Sequence, residues 1–496
     1  MEFLTSEKLK VWTKKDVVLN IVVYAVNIIL LCALFVFILH LRSLNGADRM
    51  TVSRFMGDSG LVINFTVLLA LAVMFMAFYF IFEQSDFIKE AGNSEMLFLM
   101  LEVSLLIVFA SGEYLNIYIR PLAFAAIMTL FLTDTKTAVF INIVFCLLSY
   151  LFDSFLGTFS DVYEKVYFLI MGFSSGIIAI YTLNNIYSRL KIILTSFIIS
   201  VPCILCLALP FVGFGSGDKL PSIAFGLFSG PLAVTLFMLM LPIFEGIFTK
   251  VSCFKYAELT DHKSKFIRKM ILQAPGTFNH SIIVSNIAEA CATAIGEDAL
   301  LARTCAYYHD VGKLRRPEFF KENQADGFNP HDDITPELSA NIIKAHGVDG
   351  YKLIKKNRLP QEIADVCIQH HGTMPIIYFY DKAKKFTDGE VDILQFCYSG
   401  PKPQTKVAAI IMLADSSEAA TRTLKDRSRD NVNEVVKKMV SDRMKLGQFD
   451  ECEITLKELN IIINTITNTL TGVYHDRVKY PKMKIEGLAE LDKEEK

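Results

Sequence analysis

The feature that most constrains this chain is its division into an apolar first half, almost bare of charge, and a second half rich in it. Apolar runs recur at 17–41, 61–82, 96–118, 121–132, 138–152, 166–183, 192–212 and 223–248. A helix of about 20 apolar residues crosses a hydrocarbon core about 30 Å thick. The pattern therefore predicts an N-terminal anchor followed by seven spans, with the two short runs flanking Asp134 as partly re-entrant alternatives. A chain of 496 residues that is 52% hydrophobic is too long for one ordinary domain and too apolar to be wholly soluble.

An even number of spans puts both termini on one side. Lys8, Lys10, Lys14 and Lys15, the loop with Arg189 and Lys191, and the exit with Lys250 and Lys255 then share that side, which the positive-inside rule makes the cytoplasm. The loop with Arg42, Arg49 and Arg54 falls outside. Glu102 lies within a span, and Glu113, Arg120, Asp134 and Asp153 sit near span ends, where a charge implies a partner or a task. Cys203 and Cys206 have C-x-x-C spacing inside an apolar run, with no second pair to complete a metal site, so they read as helix packing. A formal net charge of −2 offers no basic surface for nucleic acid.

Beyond residue 248 the pattern turns amphipathic. Helical patterns fill 281–295, 298–308, 336–345, 360–370, 406–423 and 456–474, without convincing strand alternation. The expected architecture is all-α, a multi-span helical bundle followed by an all-α soluble domain. Its parts are 1–60 (tail, anchor and short external loop), 61–248 (seven spans), 249–273 (connector), 274–482 (soluble domain) and 483–496 (charged tail).

The soluble half concentrates metal-binding chemistry. Of nine histidines, six fall between His280 and His371: His280, His309, His331, His346, His370 and His371. Setting His331 aside as a loop residue, five imidazoles with Asp310 and Asp415 exceed what one tetrahedral zinc requires. They suit two octahedral ions that share a carboxylate, and nitrogen and oxygen donors without thiolate favour manganese or iron. Most of these residues are expected at helix ends, with His346 closing the helix 336–345, so that they meet at one end of a bundle.

His280, His309-Asp310 and Asp415 resemble the H…HD…D signature of HD-domain phosphohydrolases, and His346 with His370-His371 resembles its binuclear branch. Ala274-Pro-Gly-Thr277, Ala306-Tyr-Tyr-His-Asp-Val-Gly-Lys313, Asn329-Pro-His331, His370-His-Gly-Thr373 and Gly400-Pro-Lys-Pro-Gln-Thr-Lys406 are similar to the PgpH-type seven-transmembrane HD phosphodiesterases. The resemblance implies a membrane enzyme that hydrolyses cyclic di-AMP to linear pApA with its HD domain in the cytoplasm. A homodimer is compatible with it. Two departures stand out: only residues 41–60 occupy the place of the family's large extracytoplasmic domain, and Asn279-His280 replaces a His-His pair.

In such a reaction two ions would supply an activated hydroxide and neutralise phosphate charge. One ion falls to His280, His309, Asp310 and Asp415, the other to Asp310, His346, His370 and His371. Asp310 and Lys313 are the catalytic candidates, Lys313 binding a phosphate oxygen or the leaving group. Tyr307 and Tyr308 are candidates for adenine stacking, and Arg316, Lys402 and Lys406 for the second phosphate. Two other classes compete: an HD hydrolase of cyclic di-GMP, a guanosine alarmone or a mononucleotide, and a non-enzymatic nucleotide-binding membrane receptor. Gly372-Thr-Met-Pro stands where the cyclic di-GMP branch has Gly-Tyr-Pro.

Overall fold

A computed structural model describes residues 14–44, 50–84, 87, 92–159, 162–184, 186, 188–208, 219–248, 250–324, 329–386 and 390–473. Lys8, Lys10, Arg49 and the segment 483–496 lie outside the described residues. The chain forms two compact units, Met1–Phe254 and Lys255–Lys496, and is all-α, with no strand among the described residues.

Among the described residues, seven helices of the first unit are long and apolar enough to cross a membrane: Val18–Leu44, Ser59–Glu83, Asn93–Tyr114, Thr135–Leu156, Val162–Leu183, Leu190–Ala208 and Leu220–Phe248. The eighth expected span, 121–132, is instead the helix Phe124–Leu132, whose 9 residues are too few to cross alone. Most of its side chains are buried in protein, where a short half-helix is tolerated at membrane depth. Two of the spans are interrupted at facing positions. Ser200 Oγ donates to Leu227 O at 2.8 Å and accepts from Gly230 N at 2.9 Å, which supplies partners to backbone groups that the breaks release. Small residues bring helices together as well: a Cβ on Gly176 would overlap Asn142, and Asn142 Nδ2 donates to Phe173 O at 3.3 Å.

The charges in this unit find partners. Arg120 pairs with Asp153 at 2.7 Å, Arg42 lies 3.6 Å from Glu113 and donates to Leu156 O at 3.0 Å, and Asp134 caps the helix Thr135–Leu156. Glu102 differs, because its Oε1 is buried without a hydrogen-bond partner.

In the second unit, caps written in the sequence set the helix starts. Asp298 Oδ1 accepts from Leu300 N and Leu301 N, both at 2.9 Å, to begin Ala299–Tyr308. Thr335 with Pro336 begins Pro336–Lys356, and Thr405 begins Lys406–Arg422. These helices pack with Pro275–Ile295, Gln361–Gln369, Arg429–Lys445 and Leu456–Val473 around Ile287, Cys291, Cys305, Ile410, Ile411 and Ile466, all fully buried. Pro336–Lys356 runs well beyond the expected end at residue 345, so His346 lies inside it. Gly347 and Gly350 continue the helix and serve close approach. A Cβ on Gly350 would come within 3.2 Å of Cys367 Cβ, and one on Gly312 would overlap the His346 carbonyl oxygen. The turn that carries Asp310 thereby seats directly on the middle of this helix.

The Arg120–Asp153 pair gives a test. Arg120→Met strands Asp153 and is expected to destabilise the protein by about 3–5 kcal/mol. Adding Asp153→Leu should recover most of that loss. Thermal unfolding of both variants in detergent checks this, and equal stability of the single and double variants contradicts it.

Candidate metal centre

Helix ends present unsatisfied carbonyls, and the sequence places histidines where they can use them. His309 caps Ala299–Tyr308 and directs Nδ1 to Ala306 O at 2.7 Å, and His370 caps Gln361–Gln369 and directs Nδ1 to Val366 O at 3.0 Å. His346, within its helix, directs Nδ1 to Ile343 O at 2.5 Å. Each Nδ1–H is thereby fixed as a donor, so each Nε2 carries the lone pair inward. His280 has a carboxylate partner in the same role: Nδ1 lies 2.8 Å from Glu418 Oε2.

The inward atoms converge. His280, His309 and Asp415 offer ligand atoms within 4.8 Å of one another, as do His346, His370 and His371, and as do His309, Asp310 and His370. Asp310 thus stands between two triads. Its Oδ2 is 3.1 Å from His309 Nε2 and 3.8 Å from His280 Nε2; its Oδ1 is 3.3 Å from His346 Nε2 and 3.7 Å from His370 Nε2. Despite these short distances, His309 Nε2 and Asp310 Oδ1 are buried without a hydrogen-bond partner. Buried acceptors left without a donor are what a divalent cation would satisfy, so the residues present fit such an ion.

The electrostatics agree. Burial and the neighbouring His370 push the His371 imidazole well down, and burial with His309 nearby lowers His370 to about 3, which leaves both neutral as ligation requires. Burial opposes ionisation of Asp310, but the neighbouring His309 and the Lys313 ammonium hold its carboxyl well below the usual range. For His280, burial works downward, yet its hydrogen bonds to the Asp415 and Glu418 carboxylates raise it to about 10, so the metal-free protein holds a proton there at neutral pH.

The other candidates divide. Lys313 Nζ sits 2.7 Å from Asp310 Oδ2 and 2.7 Å from Glu322 Oε1, within the cluster. Tyr308 is fully buried with its hydroxyl donating to Leu259 O at 2.8 Å, and Tyr307 is 3% exposed in the same core, so neither offers a face for adenine. Lys406 is held by Glu458 at 2.7 Å and Glu297 at 3.1 Å, and Lys402 by Asp450 at 3.2 Å; none of these carboxylates belongs to the cluster. Arg316 is exposed. His331 is buried between Phe319 and Phe379, its Nε2 2.8 Å from Phe319 O, which pins a loop.

Three residues beside the cluster escaped the sequence reading. Glu418 had a signal, since it follows Asp415 by one helical turn and shares its face. Glu322 comes from the single 3-10 turn Lys321–Asn323 and Tyr398 from irregular chain, neither with a periodicity to expose it.

Ligation at His280 displaces its proton, so manganese affinity is expected to rise with pH through neutrality, about tenfold per pH unit for each proton released. Calorimetric titration of metal-free protein with Mn²⁺ in a pH series measures this. A pH-independent affinity contradicts the direction assigned to His280.

Comparison with known proteins places these observations. Residues 277–420 match the HD domain family, and residues 60–252 match the family described as a 7TM receptor with intracellular HD hydrolase. The chain is 36% identical over 437 residues, 86% of its length, to the cyclic-di-AMP phosphodiesterase PgpH of Bacillus subtilis. It is 37% identical over 368 residues, 73% of its length, to the protein of that name from Listeria monocytogenes. It spans 60% and 50% of the lengths of these two relatives. The crystal structure of the L. monocytogenes PgpH HD domain in complex with cyclic-di-AMP is 46% identical, covering 44% of this chain and 100% of that one, with a TM-score of 0.42. The chain is homologous to the cyclic-di-AMP phosphodiesterase PgpH and has the PgpH-type architecture, a seven-transmembrane region joined to an HD domain.

Proposed function

We propose that this chain is a membrane-bound, metal-dependent phosphodiesterase that hydrolyses cyclic di-AMP to linear pApA. The observation that carries the reading is the pair of triads around Asp310, with His309 Nε2 and Asp310 Oδ1 both buried without a hydrogen-bond partner. The substrate comes from the relatives, which are named as phosphodiesterases of that dinucleotide. We assign the anchor at 17–41 and residues 61–248 to the membrane and 274–482 to the hydrolase, on the side that Arg189, Lys191, Lys250 and Lys255 mark as cytoplasmic by the positive-inside rule.

His280, His309 and Asp415 would hold one ion, His346, His370 and His371 the other, and Asp310 both. Manganese or iron suits this nitrogen and oxygen set. Such ions, when bound, activate water and offset phosphate charge. The chain's own part is orientation and charge. Backbone carbonyls at Ala306, Ile343 and Val366 fix three imidazoles. Asp310 and Glu322 keep the Lys313 ammonium charged against the opposing effect of burial. From there Lys313 can move a hydrogen bond onto a phosphate oxygen or stabilise the departing 3′-oxygen.

A panel of cyclic di-AMP, cyclic di-GMP, a guanosine alarmone and mononucleotides, offered to the full chain with manganese, tests this. Turnover is expected for cyclic di-AMP alone, and cleavage of cyclic di-GMP in its place refutes the substrate. Asp310→Ala is expected to abolish turnover together with metal binding. Lys313→Ala should keep the metal and lower kcat by about 100-fold, whereas Lys406→Ala should leave kcat unchanged.

A further inference from the structure

Tyr398 lies between the helices Ile377–Phe386 and Lys406–Arg422, and the scheme above gives it no part. Its ring stacks on His371 with centroids 4.3 Å apart and planes at 27°, and meets the His346 ring edge-on at 6.1 Å. Backbone bonds hold it there. Tyr398 N donates to Met374 O at 3.0 Å, and Ile376 N donates to Phe396 O at 2.9 Å, which ties this segment to the chain just past His370-His371. One ring face is therefore committed to an imidazole of the cluster.

The hydroxyl has a different setting. Among the described residues it has no hydrogen-bond partner, and it lies within electrostatic range of Lys313, Asp415 and Asp310. Tyr398 is half-buried, and its phenol O–H takes its acceptor from water or from a ligand. Beside the Lys313 ammonium and the candidate ion sites, the ligand acceptor favoured by charge is an anionic oxygen. We propose that the Tyr398 hydroxyl donates a hydrogen bond to a non-bridging phosphate oxygen of the substrate, while its ring fixes the plane of His371. The proposal rests on the metal-dependent phosphodiesterase reading and adds a substrate contact to it.

Tyr398→Phe removes the hydroxyl and keeps the stack, and Tyr398→Leu removes both. The full chain in detergent, loaded with manganese, is measured three ways: metal content, calorimetric binding of inorganic phosphate, and turnover of cyclic di-AMP and of bis(p-nitrophenyl) phosphate. Tyr398→Phe is expected to retain the parent's manganese, to bind phosphate about tenfold more weakly, and to lower kcat/KM for both diesters by roughly 10- to 100-fold. Tyr398→Leu is expected to lose manganese as well. Parent-like phosphate affinity in Tyr398→Phe overturns the proposal, as does loss of manganese in that variant, since either reduces the residue to a support for His371. A parent with no manganese-dependent phosphate binding overturns it outright. If the parent cleaves bis(p-nitrophenyl) phosphate but not cyclic di-AMP, the substrate assignment falls, and the phosphate titration still decides the role of Tyr398.

Discussion

The second unit depends on keeping one carboxylate, Asp310, charged and almost dry. Taking a carboxylate out of water costs several kcal/mol unless opposite charge and hydrogen bonds offset it. The Lys313 ammonium 2.7 Å away supplies the charge, and Glu322 on its other side keeps that ammonium from being isolated in turn. The surrounding imidazoles of His346, His370 and His371 are pushed by burial toward the neutral form. A neutral imidazole beside an ionised carboxylate is a poor ion pair. It is a good pair of metal ligands.

Backbone geometry converts this chemistry into direction. A histidine one turn after a backbone carbonyl donates Nδ1–H to it and has one nitrogen left to point elsewhere, a rule followed at His309, His346 and His370. Convergence then requires close helix packing. Gly312 and Gly350 allow the Asp310 turn to rest on the helix carrying His346, and the small residues Ala288, Ala302, Ala306 and Ala414 do the same in the core behind it. Helix stability lost to a glycine, about 1 kcal/mol, is offset by bringing the ligands together.

The membrane unit obeys another constraint. Without water, every charge and every interrupted carbonyl needs a protein partner. Arg120 with Asp153, Asp134 as a helix cap and Ser200 between two helix breaks meet that demand. Charges that looked functional in the sequence are therefore explained as structure, apart from Glu102, whose Oε1 has no hydrogen-bond partner.

Composition and periodicity alone determined the division into apolar and charged halves, the all-α class and most helices of the second unit, because helix period and caps are local properties. The candidate ligands were legible too, since His-Asp and His-His pairs are rare enough in combination to stand out. Helix ends next to glycine were not: at Gly347 and Gly350 the propensity to stop was overruled by packing against Cys367 and Gly312. The roles first given to Tyr307, Tyr308, Lys402 and Lys406 depended on which way each side chain points, and the fold turned the tyrosines into the core and the lysines toward Asp450, Glu297 and Glu458. Only the tertiary structure could set Glu322 against Lys313 and Tyr398 against His371. These partners lie 9 and 27 residues apart, and no local period links them.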